Sequence, residues 1–182
     1  MTGGRSDMNR NHILLSVRAY QRQDAATILS WCQDPIGFYQ WSAGMLGTYP
    51  ASVEAFRFVE TMTAFTAVKD DRPVGFFTLR TPDEQPTERR FGFVIVDPVY
   101  RSQGYGRQML QWGINKVFEQ DGAERVSLSV FEQNTAAYRC YIGAGFEEVP
   151  QEMPEVYDIM GEPWRCLTMQ LAKTHWQSTD FR

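Results

Sequence analysis

Three cysteines and two histidines in 182 residues signal neither a disulfide framework nor a zinc site. Cys32, Cys140 and Cys166 are odd in number, widely spaced and outside any CxxC, and His12 and His175 lie near opposite ends. A reducing compartment and no metal are therefore expected. No run of eighteen apolar residues occurs, and the opening MTGGRSDMNRNH has no apolar h-region, so a cytoplasmic location with no membrane span is expected. Positive charge is also short: 18 Lys plus Arg face 22 Asp plus Glu, leaving a net charge of -4 and no basic footprint for nucleic acid. That mild field tolerates a cationic amine as partner.

What the chain does have is a 43% hydrophobic and 14% aromatic composition, which excludes a disordered or collagen-like chain. Its length suits one domain able to bury about 70% of the unfolded surface without a staple. The expected organisation is a loose arm over residues 1–11, a single domain over 12–172 and a polar tail over 173–182.

Patterning orders the elements. His12 to Ala19 reads as a strand, and Asp24 precedes a helical pattern of Ala25, Ile28, Leu29 and Cys32. Residues 34–50 carry Pro35, Gly37, Gly44, Gly47 and Pro50 among Phe38, Tyr39, Trp41 and Tyr49, too broken for one long helix. Ser52 resembles an N-cap for the pattern through Val59. Phe65–Lys69 and Val74–Arg80 form a hairpin around Asp70, Asp71, Arg72 and Pro73. Phe91–Val96, a continuous apolar run stopped by Asp97 and Pro98, is a buried central strand. An amphipathic helix follows from Gly104 to about Gln120, then a strand over Arg125–Phe131, a helix capped by Asn134 and ended at Gly145, a short strand from Phe146, and a last strand over Trp164–Leu171. This order describes one α+β domain.

Chemistry concentrates in FGFVIVDPVYRSQGYGRQML, where a strand runs through Arg101, Ser102, Gln103, Gly104, Tyr105 and Gly106 directly into a helix. Glycines let backbone N–H groups approach an anion, and the free amides and dipole of a helix start place positive potential there, so a phosphate-bearing ligand fits. A Rossmann loop needs a third glycine where Met109 stands, and a P-loop needs Gly-Lys-Ser/Thr, which is absent.

Thirty residues on, NTAAYRCY (Asn134 to Tyr141) is closed by Gly143, Ala144, Gly145 and Phe146. With RSQGYG, this NxxAxxxY helix and the AGF after it resemble the GNAT superfamily of acetyl-coenzyme A-dependent N-acetyltransferases, best between about Phe91 and Val149. The resemblance implies a three-layer α+β fold with a central, mixed but largely antiparallel twisted sheet of about six to seven strands and about four helices. It implies acetyl-coenzyme A as co-substrate, bound by Arg101, Ser102, Gln103, Gly104, Tyr105, Gly106 and Arg107 at the pyrophosphate, by Val94, Ile95 and Val96 along the pantetheine arm, and by Asn134 and Tyr141. It further implies Tyr141 as general acid toward the departing thiolate, and direct attack by a primary amine, of a small molecule or a protein N-terminus, in a ternary complex.

Such a reaction needs a neutral amine, donors for a developing oxyanion and a proton for the thiolate. Relatives frequently carry a glutamate on the strand before the loop; here that strand reads FGFVIV, leaving Glu88 just before it and Glu132 as candidate bases. Phe38, Tyr39, Trp41 and Tyr49 suit either an acceptor wall or core packing. Cys140 has no histidine partner and reads as a small hydrophobe, so no covalent acetyl-enzyme is expected. The alternative function is a non-catalytic module sensing acyl-coenzyme A, and an edge strand or the aromatic segment could support a homodimer.

Overall fold

The computed structural model describes residues 15–179; the arm expected over 1–11, the start of the strand expected from His12 and the last three residues of the tail lie outside the described residues. In chain order these form β1 (Ser16–Ala19), α1 (Ala25–Ser30), α2 (Pro35–Ser42), β2 (Thr63–Lys69), β3 (Arg72–Arg80), β4 (Glu88–Val96), α3 (Tyr105–Asn115), β5 (Arg125–Phe131), α4 (Thr135–Gly143), β6 (Glu147–Glu148), β7 (Glu155–Ile159), β8 (Glu162–Ala172) and α5 (Lys173–Thr179). The strands build one sheet in the order β1-β2-β3-β4-β5-β8-β6, with β7 also paired to β8. Among the described strands only β4 and β5 run parallel. The fold is the mixed α+β arrangement expected, with eight strands among the described residues. No helix among them is long and apolar enough to cross a membrane.

Local chemistry explains the connections. Asp70 and Asp71 take positive φ (47° and 60°), giving β2 and β3 a two-residue turn whose twist matches the strands. The aromatic segment, too broken for one long helix, does hold a short one: Pro35 occupies the first turn of α2, Asp34 Oδ1 accepts from Gly37 N at 2.8 Å, and Ala43 ends the helix with φ 50°. Two elements escaped the patterning. β7 has exposed apolar residues on a short edge strand, and its turn to β8 is made by Met160 and Gly161, both with positive φ. Residues assigned to the polar tail form α5, whose Trp176 ring lies 5.3 Å from that of Phe118.

Two cores flank the sheet. Phe91, Met109, Leu110, Ile114, Leu128 and Val130 pack on the side of α3 and α4. Ile28, Phe38, Phe56, Phe76, Phe93 and Ile95 pack on the side of α1 and α2. Strict alternation along β4 would send Phe91 and Phe93 to one face. They part because an extra residue bulges β4: Phe76 pairs with Ile95 and Thr78 with Gly92, and Phe93 has φ 49°. A positive φ at a phenylalanine costs about 1–2 kcal/mol, so packing on both faces must hold it.

Candidate active site

The parallel pairing of β4 with β5 covers only Glu88–Arg125, Arg89–Val126 and Arg90–Ser127. Beyond Arg90 the strands part, and the edge of β4 that faces β5 from Phe91 onward is left without a strand partner. A cleft of about 540 Å³ opens there, lined by Phe91 to Val96 of β4, Leu128 to Val130 of β5, the loop before α3, and α4. Its volume is that of a small-molecule site.

The closed end of the split is pinned by charge. Glu88 is 5% exposed; its Oε1 accepts from Ser127 Oγ and, at 3.3 Å, from Arg90 Nη2, while Arg125 Nη1 lies 4.0 Å from Oε2. Arg90 Nε also donates to Ser127 Oγ at 3.0 Å. These contacts join the two strands where the ladder stops.

At the open end, Ser102 and Gly104 both take positive φ (60° and 86°). Gly104 is the N-cap of α3, and no side chain caps that helix, so its first amides remain free to bind an anion. The successive turns form a concavity of N–H groups. Gly106 answers a packing need instead: a Cβ there would lie 3.3 Å from Cys140 Sγ and 3.5 Å from Val96 Cγ2. The loop is held from both sides. Arg101 Nε donates to Val96 O at 3.1 Å and Gln103 Nε2 donates to Val99 O at 2.8 Å. Lys69 Nζ sits 5.4 Å from the Tyr100 ring and 5.6 Å from the Tyr105 ring, and those rings meet edge to face.

On α4, Asn134 Oδ1 accepts from Ala137 N at 3.3 Å, capping the helix that carries Ala137, Cys140 and Tyr141 to the cleft. Tyr141 is 6% exposed, and burial pushes its phenol well above the ordinary value, with a small addition from Cys140. Burial likewise raises the Cys140 thiol, which Arg107 partly offsets.

Of the residues singled out in the sequence, Val94, Ile95, Val96, Arg101, Ser102, Gly104, Gly106, Arg107, Asn134 and Tyr141 share the cleft wall. The wall does not include Gln103 and Tyr105, which brace the loop, nor Glu88 and Glu132. Glu132 is exposed beside Arg165 at 3.5 Å. Of the four aromatics, only Trp41 reaches the cleft; Phe38 is core, and Tyr39 and Tyr49 pack against it. The sequence reading missed Gln40, Ser129 and Arg139 as cleft residues. Arg139 had a signal in its helical phase with Ala136, three residues back.

Among the described residues, the sheet splits beside its one parallel pair, and the uncapped start of α3 lies at the mouth of the split. A family model described as the acetyltransferase (GNAT) family matches residues 28–146. The chain belongs to this family. Solved structures agree in fold. Spermidine N-acetyltransferase from Vibrio cholerae in complex with CoA and spermine superposes with a TM-score of 0.74 at 17% identity, covering 90% of this chain and 98% of that one. An acetyltransferase of the GNAT family from Bacillus anthracis gives 0.71 at 15%, covering 88% and 95%. The aminoglycoside acetyltransferase AAC(6')-Ib in complex with coenzyme A gives 0.67 at 16%, covering 92% and 99%.

Proposed function

We propose that the protein transfers the acetyl group of acetyl-coenzyme A to a primary amine by direct attack within a ternary complex. The observation that carries this reading is the cleft between β4 and β5, cationic at one end through Arg101, Arg107 and Arg139 and neutral at the other. The diphosphate fits the free amides from Ser102 to Arg107, where the glycines leave room for close approach. The pantetheine arm, a chain of amides, would pair with the unpartnered edge of β4 over Val94 to Val96 as an added strand does. Acetyl-coenzyme A supplies the activated thioester.

The protein's own groups then have three tasks. Backbone N–H groups beside the Phe93 bulge donate to the carbonyl oxygen as charge grows on it. Tyr141 holds a proton at its phenol oxygen and gives it to the sulfur as the C–S bond breaks and the C–N bond forms; its raised pKa keeps that proton in place at neutral pH. The amine proton leaves to solvent, since Glu88 is tied into the strand pin and Glu132 faces Arg165, and a proton from solvent restores the Tyr141 phenol. Cys140 stays protonated beside Gly106, which favours direct transfer over an acetyl-cysteine.

The test is Tyr141→Phe. With acetyl-coenzyme A at about 100 times its Kd, wild type should gain about 2.7 kcal/mol of stability, a clear melting shift. The variant should keep that shift while kcat falls by about 100-fold. An unchanged rate removes the acid role. No shift in wild type removes the reading.

A further inference from the structure

We infer that the acceptor is a monoamine carried on an aromatic or apolar body that lies against Trp41, and not a polycation. This rests on the acyl-transfer reading and narrows it. Among the described residues, the charged side chains on the cleft wall are Arg101, Arg107 and Arg139, and no Asp or Glu is among them. All three arginines belong to the loop and helices at the phosphate end. A polyamine or aminoglycoside brings several positive charges into a slot between two strands, and each charge taken from water needs a carboxylate there. Four acids outside the wall are engaged elsewhere: Glu88 holds Ser127 and Arg90, Asp34 caps α2, Asp97 accepts from Val99 N, and Glu132 faces Arg165. A monoamine must shed its proton to react, so in its reactive form it brings no charge at all.

The neutral end has positive features of its own. Trp41 stacks on Phe56 (ring centroids 6.0 Å apart, planes 26°) and meets Phe93 edge to face (5.8 Å, 79°). Those contacts fix its rotamer and make a rigid aromatic wall, so a flat ligand loses little freedom in finding it. Trp41 Nε1 is buried without a hydrogen-bond partner, so Trp41 shows the cleft its ring and not its N–H. Gln40, next to it on the wall, is neutral.

The experiment measures thiol release from acetyl-coenzyme A with 2-phenylethylamine, spermidine and kanamycin, alongside the melting shift that acetyl-coenzyme A produces. The expected kcat/KM for 2-phenylethylamine exceeds both others by about 100-fold. Trp41→Ala should raise its KM about 10-fold while the KM for acetyl-coenzyme A is unchanged. Because Trp41 also packs on Phe56, a second variant leaves the ring intact: Gln40→Glu should move the spermidine to 2-phenylethylamine ratio at least ~10-fold toward spermidine. Turnover of spermidine or kanamycin equal to or above that of 2-phenylethylamine, no turnover of 2-phenylethylamine, or unchanged ratios in both variants would overturn the inference. A wild-type protein with no melting shift fails at the cofactor, which is a separate result from a bound cofactor and the wrong amine.

Discussion

Exchanging Glu88 for glutamine separates a structural pin from a catalytic base. The isostere keeps volume and removes the charge that faces Ser127 Oγ, Arg90 Nη2 at 3.3 Å and Arg125 Nη1 at 4.0 Å. A hydrogen bond to a charged group contributes about 1.5–3 kcal/mol. Arg90 and Arg125 are 34% and 48% exposed at their side chains, so solvent screens both and only part of that figure is lost. The expected destabilisation is about 1–3 kcal/mol, which at about 2–4 °C per kcal/mol lowers the melting temperature by roughly 2–12 °C. Urea unfolding should show a lower midpoint at unchanged slope. Assayed well below that midpoint, kcat should stay within about 3-fold of wild type, since a general base contributes about 100-fold or more. A kcat loss of that size with an unmoved midpoint would refute the pin and make Glu88 the base.

The loop and the proton path give further outcomes. Gly106→Ala places a methyl 3.3 Å from Cys140 Sγ and should weaken acetyl-coenzyme A binding about 5-fold; Cys140→Ala in the same chain should recover most of the loss, and strictly additive losses in isothermal titration would contradict the contact. With no Asp, Glu or His among the described residues of the cleft wall, kcat/KM for an alkylamine should climb about tenfold per pH unit toward the amine's own pKa near ~10.4. Burial holds the Tyr141 phenol protonated beyond its ordinary value near ~10, so its acid form persists through that window and the profile should not turn down before pH ~10. A plateau near neutral pH would place a base in the protein.

Much of this was legible in the sequence because the decisive signals are local. Strand Arg125–Phe131, the Asn134 cap, Gly145 at positive φ and the glycine-rich entry to α3 follow from patterning and turn chemistry. The resemblance added their arrangement, and ten of the residues it named meet on one wall. What stayed hidden depends on tertiary context. The Phe93 bulge leaves no mark in FGFVIV, since each residue there is apolar whichever face it takes. The same run cannot say that pairing with β5 stops at Arg90, which opens the cleft. Glu88 has Arg90 two residues on, but its partners Ser127 and Arg125 arrive nearly forty residues later. β7 was missed because its apolar residues mostly face outward on an edge.

Acetyl transfer by this cleft requires main-chain amides at the start of α3 to bind a diphosphate. Amide hydrogen exchange read residue by residue, with and without coenzyme A, tests this most directly. Protection should concentrate on Ser102 to Arg107, and in Gly104→Val, where φ is 86° and a β-branched side chain is strained, both the protection and the binding should be lost. Coenzyme A that binds while these amides exchange at their free rate would contradict it.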